Sequence, residues 1–187
     1  MNELIGYEPF AAYAARPGCN WSTVRAMAVS PLHYRAACVG SYTPTDAMIE
    51  GGALHTMLFE PHTLPARYAP WYEDRRGEVW REFAAEAAAL GRQTIRGRAY
   101  DACLAAADAV RSHPLVAPYL DGARGEMTIV WTDRDTGLDC KSRLDCVGGG
   151  AIVELKRTHD ISPHAFSRIC MKYGYHGQLA FQAMGWH

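Results

Sequence analysis

The chain has 187 residues, 49% of them apolar, and a formal charge of −1 from 19 basic and 20 acidic side chains. Such a length predicts one globular domain, and such a charge excludes a broadly basic surface that holds nucleic acid by bulk attraction. Any nucleic-acid site has to be a local groove.

Residues 1–18 read as irregular, with Pro9, Pro17 and Gly18 as breakers. They have neither the basic start nor the unbroken apolar stretch of a signal peptide. No apolar run in the chain approaches the roughly 18 residues that a spanning helix needs. The expectation is a cytoplasmic protein with no membrane contact. Asn20 or Ser22 caps a short helix to position 29, and Ser30-Pro31 starts a second one to about position 38. After a loop over 40–45, Thr45 caps a helix whose Met48, Ile49, Ala53, Leu54, Met57 and Leu58 form one apolar stripe ending near Glu60-Pro61. His55 sits inside it. Gly51 and Gly52 precede it at interior positions where glycine costs about 1 kcal/mol against alanine. Close approach of another backbone or of a ligand would account for them.

Residues 61–71 read as a connecting loop, 77–90 and 98–112 as helices, and 126–132 as a strand. Arg75, Arg76, Arg81, Arg92, Arg96 and Arg98 form either a solvated face or a track for phosphates. The six cysteines lack C-x-x-C spacing and are expected as reduced thiols, with Cys140 and Cys146 packed inward. Ser162-Pro163 opens a helix to about 172, Gly174 interrupts it, and a last helix runs from Tyr175 to about Met184. Tyr175, Gln178 and Gln182 share a face of that helix through their three- and four-residue spacing.

Chemistry concentrates in residues 137–158, GLDCKSRLDCVGGGAIVELKRT. Two strands meet there at Gly148-Gly149-Gly150, where a tight reversal needs positive backbone angles. Arg143 and Asp145 share one face before the turn, and Glu154 and Lys156 share one after it. Pairing Val147 with Ile152 sets Asp145 opposite Glu154, about 5 Å apart. Pairing Val147 with Ala151 sends the two sets to opposite faces. In the first register two carboxylates repel unless a cation joins them, and a hard divalent ion with oxygen ligands fits. Glu126, on the preceding strand, is placed either to join them or to pair with a surface arginine.

An acid, a glycine turn, acid-x-Lys on an apolar strand and a glutamine-bearing helix together resemble the PD-(D/E)xK nuclease superfamily. More narrowly, the chain resembles the RecE-type (exonuclease VIII-like) branch of phages and prophages. The likeness takes in Ser30-Pro31-Leu32-His33-Tyr34, the Gly-x-x-x-His segment at 51–61, RRGEVWREF from Arg75, TGLDCKSRLD, IVELKRT, and GYHGQLAF from Gly174. It implies an α/β (α+β) restriction-endonuclease-like core, with a central mixed sheet begun by a three-strand meander and flanked by helices.

The resemblance further implies that Asp145 and Glu154 bind Mg²⁺, with Mn²⁺ as a substitute, helped by the Leu155 carbonyl. Lys156 would orient or activate the attacking water, His55 would join the metal site as the branch's upstream histidine, and Glu126 matches an additional acidic residue of the branch. Tyr175, Gln178 and Arg143 would contact DNA or brace the site. The implied activity is 5′-to-3′ resection of linear duplex DNA, feeding a single-strand annealing recombinase, by a ring-shaped homo-oligomer that takes double-stranded DNA ends.

The chain departs from the pattern in three ways. Its second acid is Glu rather than Asp, and Gln182 stands where the branch carries an aromatic. The strands that follow the last helix in relatives are missing from residues 1–187. That last departure keeps open an inactive or truncated DNA-binding or assembly module on the same fold.

Overall fold

The computed structural model describes residues 2–40 and 43–186. In chain order the elements are β1 (Glu3–Tyr7), α1 (Phe10–Ala15), α2 (Trp21–Met27), α3 (Pro31–Val39) and α4 (Asp46–Phe59). A 3-10 turn (Pro61–Thr63), α5 (Leu64–Arg67), β2 (Tyr68–Trp71), α6 (Gly77–Ala89), β3 (Gln93–Arg96), α7 (Gly97–Ser112) and α8 (Ala117–Leu120) follow. The chain continues through β4 (Arg124–Thr132), β5 (Asp139–Gly148), β6 (Ala151–Val153), α9 (Pro163–Tyr173) and α10 (Tyr175–Trp186). These elements fall into two compact units, 1–42 with 122–187, and 43–121.

The first unit is built on an antiparallel sheet in the order β1-β4-β5-β6. The three-strand meander is present, and β1 adds a strand where the sequence predicts irregular chain. Among the described residues this sheet is antiparallel throughout rather than mixed; the parallel pairing lies between β2 and β3 in the other unit. Residues 10–15 also depart from the irregular expectation by forming α1, whose last carbonyls are gathered by a lysine. Lys141 is buried on β5, and its ammonium donates to the carbonyls of Tyr13 (3.0 Å), Ala14 (3.1 Å) and Arg16 (2.5 Å). A helix C-terminus leaves such acceptors without partners, so a cation there satisfies them and complements the helix dipole.

At the hairpin, Val147 pairs with Ile152 and Gly148 with Ala151, which selects the first of the two registers. Gly149 and Gly150 have φ of +56° and +76°, as a two-residue turn of this hand requires. The ladder ends at Cys146 with Val153, so Glu154 and Lys156 lie beyond the strand on which they were expected.

One sheet face carries the core: Met127, Ile129 and Trp131 from β4, Cys140 and Leu144 from β5, and Phe181 from α10. Cys140 and Cys146 are both buried, and all six cysteines are free thiols. Two glycines set how closely α10 approaches its neighbours. A Cβ on Gly185 would sit 2.4 Å from the Trp131 ring, and one on Gly177 would sit 2.2 Å from the Trp21 ring. Along β5, ahead of the short β6, the backbone of Cys19 takes a partner's place: its amide donates to the Asp139 carbonyl and its carbonyl accepts from the Lys141 amide, both at 2.8 Å.

In the second unit Thr45 caps α4 as expected, its hydroxyl accepting from the Met48 amide, and Ala53, Leu54 and Met57 are buried. The expected loop at 61–71 instead contains the 3-10 turn, α5 and β2. Gly52 makes room for a side chain rather than a backbone or ligand: a Cβ there would lie 2.7 Å from the Tyr68 hydroxyl, whereas one on Gly51 meets nothing. Of the arginines, Arg75 pairs with Asp46 at 3.0 Å and lies over the Trp80 ring, Arg96 pairs with the same carboxylate at 3.3 Å, and Arg76 pairs with Asp74 at 3.2 Å.

Candidate active site

Beyond the ladder, the main chain is steered by a side chain. The Leu155 amide donates to Asp145 Oδ2 at 2.8 Å, continuing the hairpin by one more contact after strand pairing stops. This holds Glu154 and Lys156 on the side of Asp145. Lys156 Nζ lies 2.5 Å from Glu154 Oε2 and 4.0 Å from Asp145 Oδ2. The three groups therefore converge around one ammonium.

The last helix closes this arrangement. Gln178 Nε2 donates to Glu154 Oε2 at 2.7 Å, and Gln182 Nε2 donates to Glu154 Oε1 at 2.5 Å. Both oxygens of Glu154 are thus held, one by a lysine and a glutamine and the other by a second glutamine. Tyr175 is half-buried at the start of the helix, its ring centroid 5.2 Å from Lys156 Nζ. Of the residues named from sequence, Asp145, Glu154, Lys156, Gln178 and Tyr175 meet directly. Gln182, expected on the same helix face as Tyr175 and Gln178, touches the same carboxylate.

Glu126 and Arg143 form a neighbouring pair. Glu126 is buried on β4 with φ +54°, a left-handed conformation that costs a non-glycine residue about 1–2 kcal/mol. Arg143 Nε donates to Glu126 Oε2, and its Nη1 donates to the Glu8 carbonyl at 2.5 Å. Of the alternatives left open for Glu126, its arginine partner is therefore a buried one. Glu8, absent from the sequence reading, is buried too. Arg16 binds it at 2.8 and 2.9 Å and holds its carboxyl below the usual range. No spacing rule marks Glu8, which lies just past the end of β1 on no regular element. His55 belongs to the second unit, where it is half-buried on α4 with its ring edge-on to Phe59 at 6.0 Å.

Burial pushes the Asp145 carboxyl well above its ordinary range, and the nearby Glu154 charge pushes it further; Lys156 and the Leu155 amide pull the other way. An excess of negative charge at a dry, oxygen-rich point is what a hard divalent cation relieves. The donors brought together are the carboxylates of Asp145 and Glu154, with no sulfur or imidazole among them. Among the described residues no group of three His, Cys, Asp or Glu side chains is arranged to hold a metal. The fit is to an ion that takes one or two carboxylates and completes its shell with water and substrate oxygens.

A groove of about 690 Å³ lies in the same unit, lined by Tyr13, Trp21, Tyr34, Lys141, Arg143 and Gln178 among others. Through Gln178 it adjoins the carboxylates.

A family model described as a PDDEXK-like domain of unknown function (DUF3799) matches residues 20–185. The chain belongs to this family. Its antiparallel sheet flanked by helices is a restriction-endonuclease-like architecture, and Asp145 with Glu154-Leu155-Lys156 has the spacing and order of the acid and acid-x-Lys pattern. Membership points to nuclease chemistry, and nucleases of this superfamily generally use divalent metals. No curated protein matches the chain. No helix among the described residues is long and apolar enough to cross a membrane.

Proposed function

We propose that this PDDEXK-like chain is a metal-dependent deoxyribonuclease of RecE type, an exonuclease that hydrolyses phosphodiester bonds of linear duplex DNA. One observation carries this reading: Asp145, Glu154 and Lys156 converge at the end of a single hairpin, at 2.5 and 4.0 Å from the shared ammonium.

Asp145, Glu154 and the Leu155 carbonyl would hold Mg²⁺ or Mn²⁺, which when bound neutralises phosphate charge and polarises the scissile bond. Lys156 holds positive charge where the transition state gains negative charge, and its remaining hydrogens can orient the attacking water. Gln178 and Gln182 keep Glu154 aligned. Glu126, braced by Arg143, supplies further negative charge beside Asp145. The groove beside Gln178 offers the rings of Tyr13, Trp21 and Tyr34 as stacking faces for a DNA strand. The assignment of His55 rests on its Gly-x-x-x-His segment alone. Cleavage in the 5′-to-3′ sense, delivery of the product strand to an annealing recombinase and assembly as a ring follow from the resemblance to the RecE branch.

Linear duplex incubated with Mg²⁺ tests the reading. The unmodified protein degrades it, and Lys156→Met lowers the rate by about a hundredfold or more, the loss expected when a group stabilising transition-state charge is removed. Lys156→Arg does not restore it, because a planar fork cannot replace a compact ammonium between two carboxylates. Cleavage that survives both substitutions removes Lys156 from the chemistry.

The saturation of Glu154 by three donors favours a second reading, a non-catalytic DNA-binding or assembly module on the same fold. Calorimetric titration with Mn²⁺ separates the two, since the module binds no ion at Asp145 and Glu154.

A further inference from the structure

We propose that Gln182 is a positioning residue for Glu154, fixing the plane of its carboxylate; the proposal rests on the nuclease reading of the site. Gln178 and Gln182, one helical turn apart, approach Glu154 from the same face of α10 and donate to different oxygens. With Lys156 on Oε2 as well, rotation of the carboxylate about its terminal bond breaks at least one hydrogen bond. Fixing that plane fixes which lone pairs remain for a cation.

The contact also carries a cost. Gln182 is fully buried, and its own Oε1 is buried with no hydrogen-bond partner. An amide oxygen left without a donor in the interior is destabilising, and Met or Leu fills such a volume without that penalty. Reversing the amide does not help, since it turns oxygen toward the Glu154 carboxylate. The glutamine is therefore explained by its donor and not by packing. A residue beyond the metal ligands that orients one of them typically changes metal affinity or activity by 10–100-fold when removed.

Gln182→Met in the full chain tests this, because it keeps the volume and removes both the donor and the orphan oxygen. The expected result has two parts, both read apart from the melting temperature: calorimetric Mn²⁺ affinity weakened about 10–100-fold, and a lower kcat on linear duplex with KM for DNA unchanged. A purely structural glutamine changes the melting temperature and leaves Mn²⁺ affinity and kcat intact, which overturns the proposal. A measurement on the unmodified protein guards against a variant that fails to fold. The side-chain amide resonance of Gln182 should shift when Mg²⁺ is added, and a resonance indifferent to Mg²⁺ overturns the assignment. Unmodified protein that binds no Mn²⁺ and leaves duplex intact ends both this proposal and the nuclease reading. Protein that binds and cuts, with Gln182→Met doing so equally well, ends this proposal alone.

Discussion

The amide of Leu155 reaches back ten residues to the carboxylate of Asp145, at 2.8 Å. A side chain here does what a strand carbonyl does elsewhere: it accepts the next main-chain donor after the ladder ends. Asp145 thereby has two jobs, directing the chain that carries Glu154 and Lys156 and standing beside them as an acid. An asparagine can perform the first and not the second.

Asp145→Asn is accordingly expected to keep the fold, to raise the melting temperature in chelator at neutral pH and to abolish Mn²⁺ binding. The sign follows from the raised carboxyl. Above the ordinary Asp value of about 3.9, the unfolded chain has released a proton that the folded chain still holds. Stability therefore falls as pH rises through that window, and the burden is fully present above the raised value. Melting curves of the two proteins in chelator should converge toward acid and separate toward neutral pH. Curves that run parallel contradict the placement of a strained acid at this position.

Lys141 makes a different prediction, because its ammonium serves structure. Replacing it with Met leaves three carbonyls near the end of α1 without their shared donor, at a cost of about 2–3 kcal/mol. Hydrogen exchange in residues 10–16 should accelerate, with amides of β4 and β5 affected less. Uniform loss of protection across the sheet would place the role of Lys141 elsewhere.

Gly177→Ala couples packing to the acid site. Its Cβ would fall 2.2 Å from the Trp21 ring, so helix or ring has to move. Overpacking of this kind costs about 1–3 kcal/mol. Because Gln178 is the adjacent residue, the same shift pulls its amide off Glu154. The expected outcome is a lower melting temperature together with weaker Mn²⁺ binding. Loss of stability with unchanged affinity would show that the glutamines follow Glu154 independently of the helix position.

Much of the acid site was legible because its residues are close in sequence and obey strand periodicity. Asp145, Glu154 and Lys156 needed only the choice between two registers, which Val147 with Ile152 settles. What escaped the sequence was contributed by short or irregular pieces. β1 is five residues with a glycine at φ +91°, and β2 and β3 are four residues each, too short for alternation to stand out. The end of β6 at Val153 was hidden for another reason: the residues that follow still look like a strand, and only the three-dimensional path shows a side chain replacing the ladder. Gln182 was visible as an oddity of sequence, but its meaning depended on distance to a residue 28 positions earlier.

The contact of Cys19 with β5 has a consequence for the protein in a crowded solution. β6 is three residues long and covers only one end of β5, which would otherwise leave the rest of that margin open to a strand from another molecule. Cys19 occupies the Asp139 carbonyl and the Lys141 amide. Gly18, at φ +115°, shapes the approach so closely that a Cβ there would meet the Asp139 carbonyl at 3.2 Å. A single pleat of backbone thus occupies two of the main-chain groups that an incoming strand would need on this border of the sheet.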